Sequence, residues 1–250
     1  MAVRFRRWSE LNEIYDIHTH ILPGVDDGAR TIEDALKMLE IAYADGVRRI
    51  ILTPHYKYGF HGKSAEDMLE RADLLCSEVS KHFADLELGL GCEAFGEIEL
   101  SHLLDSGSAL CLCGSRYVLT EYRPGVEFSH MLQSVNDLIL SGYTPILAHI
   151  ERYVCLRKDP GRVSDLVGMG AMMQVNAGSV LGTDGLRTKF FVANLLKKRL
   201  VSFVASDAHN DSTRPPQLAR CARYVAGKYG NEYMTRLFSS NAACFFRSLQ

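Results

Sequence analysis

The sequence predicts an α/β protein whose parallel strands curl into a closed or nearly closed (β/α) barrel, and three observations carry that expectation. Seven short β-rich runs are separated by longer helix-like segments within 250 residues, the pattern of parallel strands joined by crossover helices. Ionisable residues stand at the C-terminal ends of six of those runs, whose bodies are mostly apolar. In α/β barrels that end carries the functional loops. Finally, the length and a hydrophobic content of 47% suit one large domain with a sizeable core. An open, doubly wound sheet is the alternative architecture.

The first run, IYDIHTH (14–20), ends in His18 and His20. Thr31 to Asp45 then places Ile32, Ala35, Leu36, Leu39 and Ala42 on one helical stripe, with Gly46 as its stop. The second run, RRIILTPH (48–55), ends in His55, and a helix is expected over 64–83. The third, LELGLGCEA (86–94), carries Glu93, and the fourth, YVLTEY (117–122), carries Glu121 before a helix near 129–141. TPILAHI (144–150) ends in His149 and precedes a helix at 161–168. MMQVNAG (172–178) ends near Asn176, ahead of a helix at 187–199. SFVASDAH (202–209) ends in Asp207 and His209, and the last helix is expected over 216–229.

Strand side chains alternate, so the pairs His18/His20 and Asp207/His209 each share a face and can converge. Mixed imidazole and carboxylate donors suit zinc, manganese or iron. Carboxylates crowded without a cation would repel one another and resist ionising. Asp16, one layer deeper on the His18 face, is expected to orient a ligand imidazole. Of the other histidines, His82, His102 and His130 read as surface or packing residues, and His61 sits in a loop. Glu97 and Glu99 read as solvated.

Several classes are excluded or disfavoured. A net charge of -2 gives no global attraction to nucleic acid or to a membrane surface. No window approaches the length of a membrane span. The basic start, MAVRFRRWSELNE, lacks the apolar stretch of a signal peptide. Seven cysteines without zinc-ribbon spacing suggest a reduced, cytoplasmic setting. GFHGKS (59–64) has Lys57 where a phosphate-binding loop needs its first glycine. No cysteine has an arginine six positions downstream, and no GxSxG occurs.

DIHTHILPGVDDG, TPH, the strand-end Glu93 and Glu121, HIERY and SDAHN together resemble the PHP (polymerase and histidinol phosphatase) superfamily. More narrowly they look like its bacterial protein-tyrosine phosphatases of the CpsB/YwqE type, which regulate capsule and exopolysaccharide synthesis. The resemblance implies a distorted (β/α)7 barrel as a single domain over 1–250, with 1–13 as an N-terminal extension. It implies three divalent ions of the manganese type, at sites that iron, zinc or cobalt can also occupy. One would be held by His18, His20, Glu93 and Asp207. A second would take Glu93, Glu121 and His149, and a third Asp27, His55 and His209, with Glu93 bridging. Asp27 rather than Asp26 matches the family's ligand by its spacing from His20. Arg152 and Arg214 match arginines that hold the phosphate. Tyr56 replaces a second histidine common in the family.

The implied reaction is hydrolysis of phosphotyrosine by a metal-bridged hydroxide, without a phosphoenzyme. Asp207 or a histidine could assist the leaving group. The implied partner is a phosphotyrosine protein, the tyrosine-rich tail of a bacterial tyrosine kinase. The aromatic and basic loop HYKYGFHGKS (55–64) could rim the site, or Tyr56, Tyr58 and Phe60 could simply pack it down. A phosphatase for a small phosphomonoester such as histidinol phosphate is the runner-up. Binuclear amidohydrolases bridge their metals through a carboxylated lysine, and no lysine lies in 86–94, 117–122 or 144–150. A metal-loaded scaffold without activity is a further, non-enzymatic reading.

Overall fold

The computed structural model describes residues 13–57, 64–96 and 99–247. Its strands are β1 (Ile14–Thr19), β2 (Val47–Leu52), β3 (His55–Tyr56), β4 (Glu87–Leu90), β5 (Glu93–Phe95), β6 (Tyr117–Glu121), β7 (Thr144–Leu147), β8 (Met172–Asn176) and β9 (Phe203–Ala205). Its helices are α1 (Ile32–Ala44), α2 (Ala65–His82), α3 (Leu100–Asp105), α4 (Phe128–Leu140), α5 (Val154–Lys158), α6 (Gly161–Met169), α7 (Ala177–Leu181), α8 (Leu186–Lys197), α9 (Ala219–Tyr229), α10 (Asn231–Thr235) and α11 (Ala243–Arg247).

The seven expected runs are all present, and two of them are broken. The second run divides into β2 and β3 at Thr53-Pro54, where proline has no N–H to give the ladder. The third divides into β4 and β5 at Gly91-Cys92. Every pairing is parallel, in the orders β1-β2-β4 and β3-β5-β6-β7-β8-β9. The ends meet where Thr19 bridges Ala208, and the Asp207 N–H donates to the His18 carbonyl at 3.0 Å. Between β4 and β6 the ladder is open, and a 3₁₀ turn at Leu112–Gly114 packs against both strands. The result is a distorted barrel built from parallel strands and crossover helices, as the sequence predicts.

Two apolar shells hold it. The outer one lies between strands and helices. Helix α1 buries Ala35, Met38, Leu39 and Ala42 and starts at a capping box, in which the Thr31 hydroxyl accepts from the Asp34 N–H. The inner shell fills the barrel's N-terminal end with Ile17, Ile51, Leu119, Ile146 and Phe203, closed from below by Ala242, Phe245 and Phe246. The Phe245 ring lies 5.0 Å from Tyr117 and 5.9 Å from Phe203, centroid to centroid.

The last expected helix begins at Ala219 rather than 216. There Asp45 Oδ2 accepts from the N–H groups of Leu218 and Ala219 at 2.6 and 2.7 Å, satisfying donors that a helix start leaves free. No element is expected beyond 229, where the structure adds α10 and a π-helical turn, which pack into the outer shell, and α11, whose Phe245 and Phe246 plug the barrel's N-terminal end together with Ala242. No described helix is long and apolar enough to cross a membrane.

Candidate metal centre

All nine candidate ligands converge at the C-terminal end of the barrel, and their donor atoms form overlapping groups. His18 Nε2 and His20 Nε2 stand 3.3 Å apart. Both face Glu93 Oε2, at 3.2 and 3.4 Å, and Asp207 Oδ1, at 3.5 and 3.4 Å. Glu93 presents its other oxygen, Oε1, to His149 Nε2 at 2.8 Å, with Glu121 Oε2 3.9 Å from the same nitrogen. Its carboxylate therefore touches two groups at once. His55 Nδ1 approaches Glu93 Oε2 and Glu121 Oε1 at 3.0 and 3.1 Å. Its Nε2 lies 3.5 Å from Asp27 Oδ1, which also meets His209 Nε2 at 3.4 Å. Asp27 is exposed, whereas His18, His20 and Glu93 have no solvent contact.

A second layer fixes the rings. The Oε1 of buried Gln174 accepts from the His149 N–H at 2.7 Å and from His18 Nδ1 at 3.1 Å. With Nδ1 of His18 donating, its Nε2 is the nitrogen that faces the carboxylates. Asp26 does the same for His20: its Oδ2 accepts from Nδ1 at 2.7 Å and from the His55 N–H at 2.9 Å. Its Oδ1 accepts from the Gly28 N–H at 2.9 Å. At Gly28 a Cβ would overlap the His20 carbonyl oxygen, so the acidic loop can lie against β1 only with glycine there. On β8, Gln174 Nε2 donates to Asn176 Oδ1 at 2.9 Å, and Asn176 Nδ2 donates to Asp207 Oδ2 at 2.8 Å.

That same Asp207 oxygen accepts from Arg152 Nη2 at 2.6 Å and lies 2.7 Å from Arg214 Nη2. Asp207 is thus divided, with Oδ1 toward the histidines and Oδ2 toward two guanidinium groups. His149 and Asp207 both sit at positive φ, 32° and 54°. Such backbone is held in place by its surroundings and concentrates at functional sites.

The electrostatics are those of a cluster that expects cations. Burial opposes ionisation of Glu93 and Asp207, yet the surrounding imidazoles hold both well below the usual carboxylate range. Burial likewise opposes charge on His18, but Glu93 and Asp207 raise it, and hydrogen bonds to Asp207 and Asp26 hold His20 well above its ordinary value. His55, against Glu121 and Glu93, is pushed up to about 10. His209 is driven the other way, to about 4, by burial and the neighbouring His20. Despite burial, the His20 contact holds Asp26 at about 2. Protons on imidazoles are doing what divalent ions would do better: compensating buried carboxylates. The mixed nitrogen and oxygen donors, with Glu93 Oε2 buried and lacking a well-aligned hydrogen bond, fit such ions.

The expectation for Asp16 is not met. Its Oδ1 accepts from the main-chain N–H groups of His18 and Ser206 at 3.4 and 3.1 Å, not from an imidazole. A register shift in β1 between Asp16 and Thr19 breaks the alternation on which the expectation rested. Asp26, Gln174 and their orienting bonds were missed, because an ordinary Asp next to a ligand and a Gln inside a strand carry no sequence signature. His82 and His102 are exposed on α2 and α3, and His130 lies 3.3 Å from the Gly96 carbonyl, outside the centre. Tyr56 packs against the outer apolar shell. Tyr58, Phe60, His61 and Glu97 lie outside the described residues.

Donor groups gathered from the ends of six of the seven strand runs define a candidate centre for divalent metal ions on a (β/α) barrel. The chain belongs to the capsular polysaccharide synthesis family CpsB/CapC, whose model matches residues 14–247. It is 30% identical over 238 residues to the tyrosine-protein phosphatase CpsB of Streptococcus agalactiae, covering 93% of this chain and 98% of that one. It is 34% identical to the tyrosine-protein phosphatase YwqE of Bacillus subtilis, with 93% and 91% covered. A crystal structure from work on YwqE and the Streptococcus pneumoniae CpsB, described as unique metal-dependent tyrosine phosphatases, superposes with a TM-score of 0.83 at 35% identity. The match covers 88% of this chain and 90% of that one.

Proposed function

We propose that the protein is a metal-dependent protein-tyrosine phosphatase acting on a bacterial tyrosine kinase in capsular or exopolysaccharide synthesis. The observation that carries the reading is the division of Asp207, which ties a cage of donor atoms on one side to Arg152 and Arg214 on the other. A phosphate placed between cage and arginines would meet cations on both sides. Relatives named tyrosine-protein phosphatases support phosphotyrosine as the substrate class, and the tyrosine-rich tail of a bacterial tyrosine kinase is the partner in this reading.

His18, His20, Glu93 and Asp207 would hold one ion, Glu93, Glu121 and His149 a second, and Asp27, His55 and His209 a third, with manganese the preferred metal. When bound, such ions supply hydroxide at neutral pH and neutralise charge on the phosphoryl group. Arg152 and Arg214 bind the remaining phosphoryl oxygens, where a planar guanidinium can make paired hydrogen bonds. Asp207 is held well below its ordinary pKa and receives donors on Oδ2, so its contribution is to bind and to aim the arginines. A phenolate departs without needing a strong acid. The whole chain, 1–250, acts as one phosphatase domain, with 1–13 as an extension. All seven cysteines are free, as suits the cytoplasm.

Purified protein loaded with manganese should hydrolyse phosphotyrosine peptides and lose that activity in EDTA. Full activity in EDTA, or a far higher kcat/KM on histidinol phosphate than on the peptides, would overturn the reading.

A further inference from the structure

The phosphate arginines open onto a cleft of about 730 Å³ that also receives Arg157 and Arg220. That volume lies well inside the range of pockets that bury whole ligands, roughly 300–1,000 Å³, and greatly exceeds what one phosphate needs. The four arginines form an inner pair, Arg152 and Arg214, and an outer pair, Arg157 and Arg220, each drawing one member from each of two chain segments. Arg152 and Arg157 come from the turn and helix after β7, and Arg214 and Arg220 from the segment after β9. The inner pair is committed to Asp207. The outer pair is exposed, and among the described residues neither member has an ion-pair partner.

Two acids line the same cleft, and both are engaged within their own walls. Glu151 is buried and accepts from the Asn176 N–H at 2.8 Å. Asp184 accepts from the Ser179 hydroxyl at 2.6 Å. With Asp207 counted against the inner pair, four arginines face three engaged acids, and the uncompensated positive charge lies on Arg157 and Arg220, beyond the place where the reacting phosphate would sit. Thr183, Thr188 and Gln217 add neutral hydrogen-bonding groups to its walls. A positive cleft with unengaged guanidinium groups attracts and orients anions.

We propose that Arg157 and Arg220 form an outer anion subsite that holds a second negative group on the same peptide as the reacting phosphotyrosine. This rests on the phosphatase reading above and adds to it the substrate class: segments carrying a flanking acidic side chain or a second phosphate. The subsite acts on binding, so its signature is in KM rather than in kcat.

The test uses the manganese-loaded full chain and three peptides: a phosphotyrosine with neutral flanks, the same sequence with flanking glutamates, and the same sequence with a second phosphotyrosine. The parent protein should favour one or both anionic peptides over the neutral one by roughly three- to tenfold in kcat/KM, the size expected for two exposed charge pairs. Preference for the glutamate peptide alone identifies carboxylate as the anion, and preference for the doubly phosphorylated peptide alone identifies phosphate. In the Arg157→Gln/Arg220→Gln double variant the ratio should fall to about one through KM. A parent that turns over all three peptides equally overturns the subsite and leaves the phosphatase reading standing. So does a ratio that survives the double variant. A parent inert on every phosphotyrosine peptide overturns both.

Discussion

At the N-terminal end of the barrel Ile17, Ile51, Leu119, Ile146 and Phe203 close on Phe245 and Phe246. One to four residues further along the same chain runs stand His18, Glu121, His149, His55 and Asp207. The strands are shared, and the filling is opposite. The apolar end needs only shape, because dispersion and burial reward any dense packing. The charged end needs partners, because each buried carboxylate is costly until a cation or a donor compensates it. The contrast teaches that the packed end supplies rigidity and the charged end supplies a demand for metal. Changes at the two ends should therefore be separable.

His18→Ala breaks the charged end and carries the largest expected effect. It removes the donor that faces both Glu93 and Asp207. Bound metal should fall by about one ion per chain, with turnover reduced by at least ~10³-fold. Metal analysis together with a phosphotyrosine-peptide assay measures both, and unchanged stoichiometry would remove His18 from the ligand set. Phe245→Ala breaks the other end. Deleting a fully buried ring against Tyr117 and Phe203 should cost about 3 kcal/mol. The melting temperature should fall by roughly 6–12 °C while the folded protein keeps its metal count. Loss of metal at 25 °C would show that the two ends are not separable.

The seam between them is β8. Gln174→Ala removes the oxygen that orients His18 and accepts from the left-handed His149. Support of this kind is worth about 10- to 100-fold in metal affinity. A competition assay against a metal chelator would read it, and an unchanged affinity would mean that the strand ends alone aim the imidazoles. Acid acts on the same groups with a smaller slope. In the metal-free protein His20, held well above its ordinary value, and His55, at about 10, hold protons at neutral pH, and His18 is shifted in the same upward direction. Metal must displace those protons. Affinity should therefore rise about tenfold per pH unit for each proton released, over the range below the His55 value of about 10. Calorimetry in buffers of different ionisation enthalpy counts the protons, and a count of zero would contradict the assigned charges.

Much of this was legible because chemistry and periodicity coincide at strand ends. The seven runs show as short apolar segments, and His18, His55, Glu93, Glu121, His149 and Asp207 stand where those segments stop. What was not legible lacks a label of that kind. The shift in β1 depends on pairing with β2, so nothing local to Asp16 announces it. Gln174 reads as one polar residue in an apolar strand until His149 is brought beside it. The plug at Ala242, Phe245 and Phe246 follows a π-helical turn in a short terminal segment, too brief for a helical stripe to be recognised. Asp26 and Asp27 are adjacent acids in one loop. Only the fold turns one toward the His20 Nδ1 and the other toward His55 and His209.

Thr31→Ala offers the smallest and most exacting test of the contrast. Thr31 lies at the charged end of the barrel, four positions after Asp27, yet its work is structural. Its hydroxyl accepts from the Asp34 N–H at 3.2 Å, and Asp34 returns a bond to the Thr31 N–H at 3.3 Å. Losing the cap should cost about 1 kcal/mol, which in a chain of this size lowers the melting temperature by roughly 2–4 °C. The acidic loop before it is tied independently, by Asp26 to the Gly28 and His55 N–H groups and by the Gly24 N–H to the Ala29 carbonyl at 2.8 Å. Those bonds should hold Asp27 against His55 and His209 whether or not α1 is capped. Metal count and affinity should then match the parent within error when measured on the folded protein. A loss of one ion would mean that the loop borrows its shape from α1, and that stability and metal binding are coupled at this corner of the site.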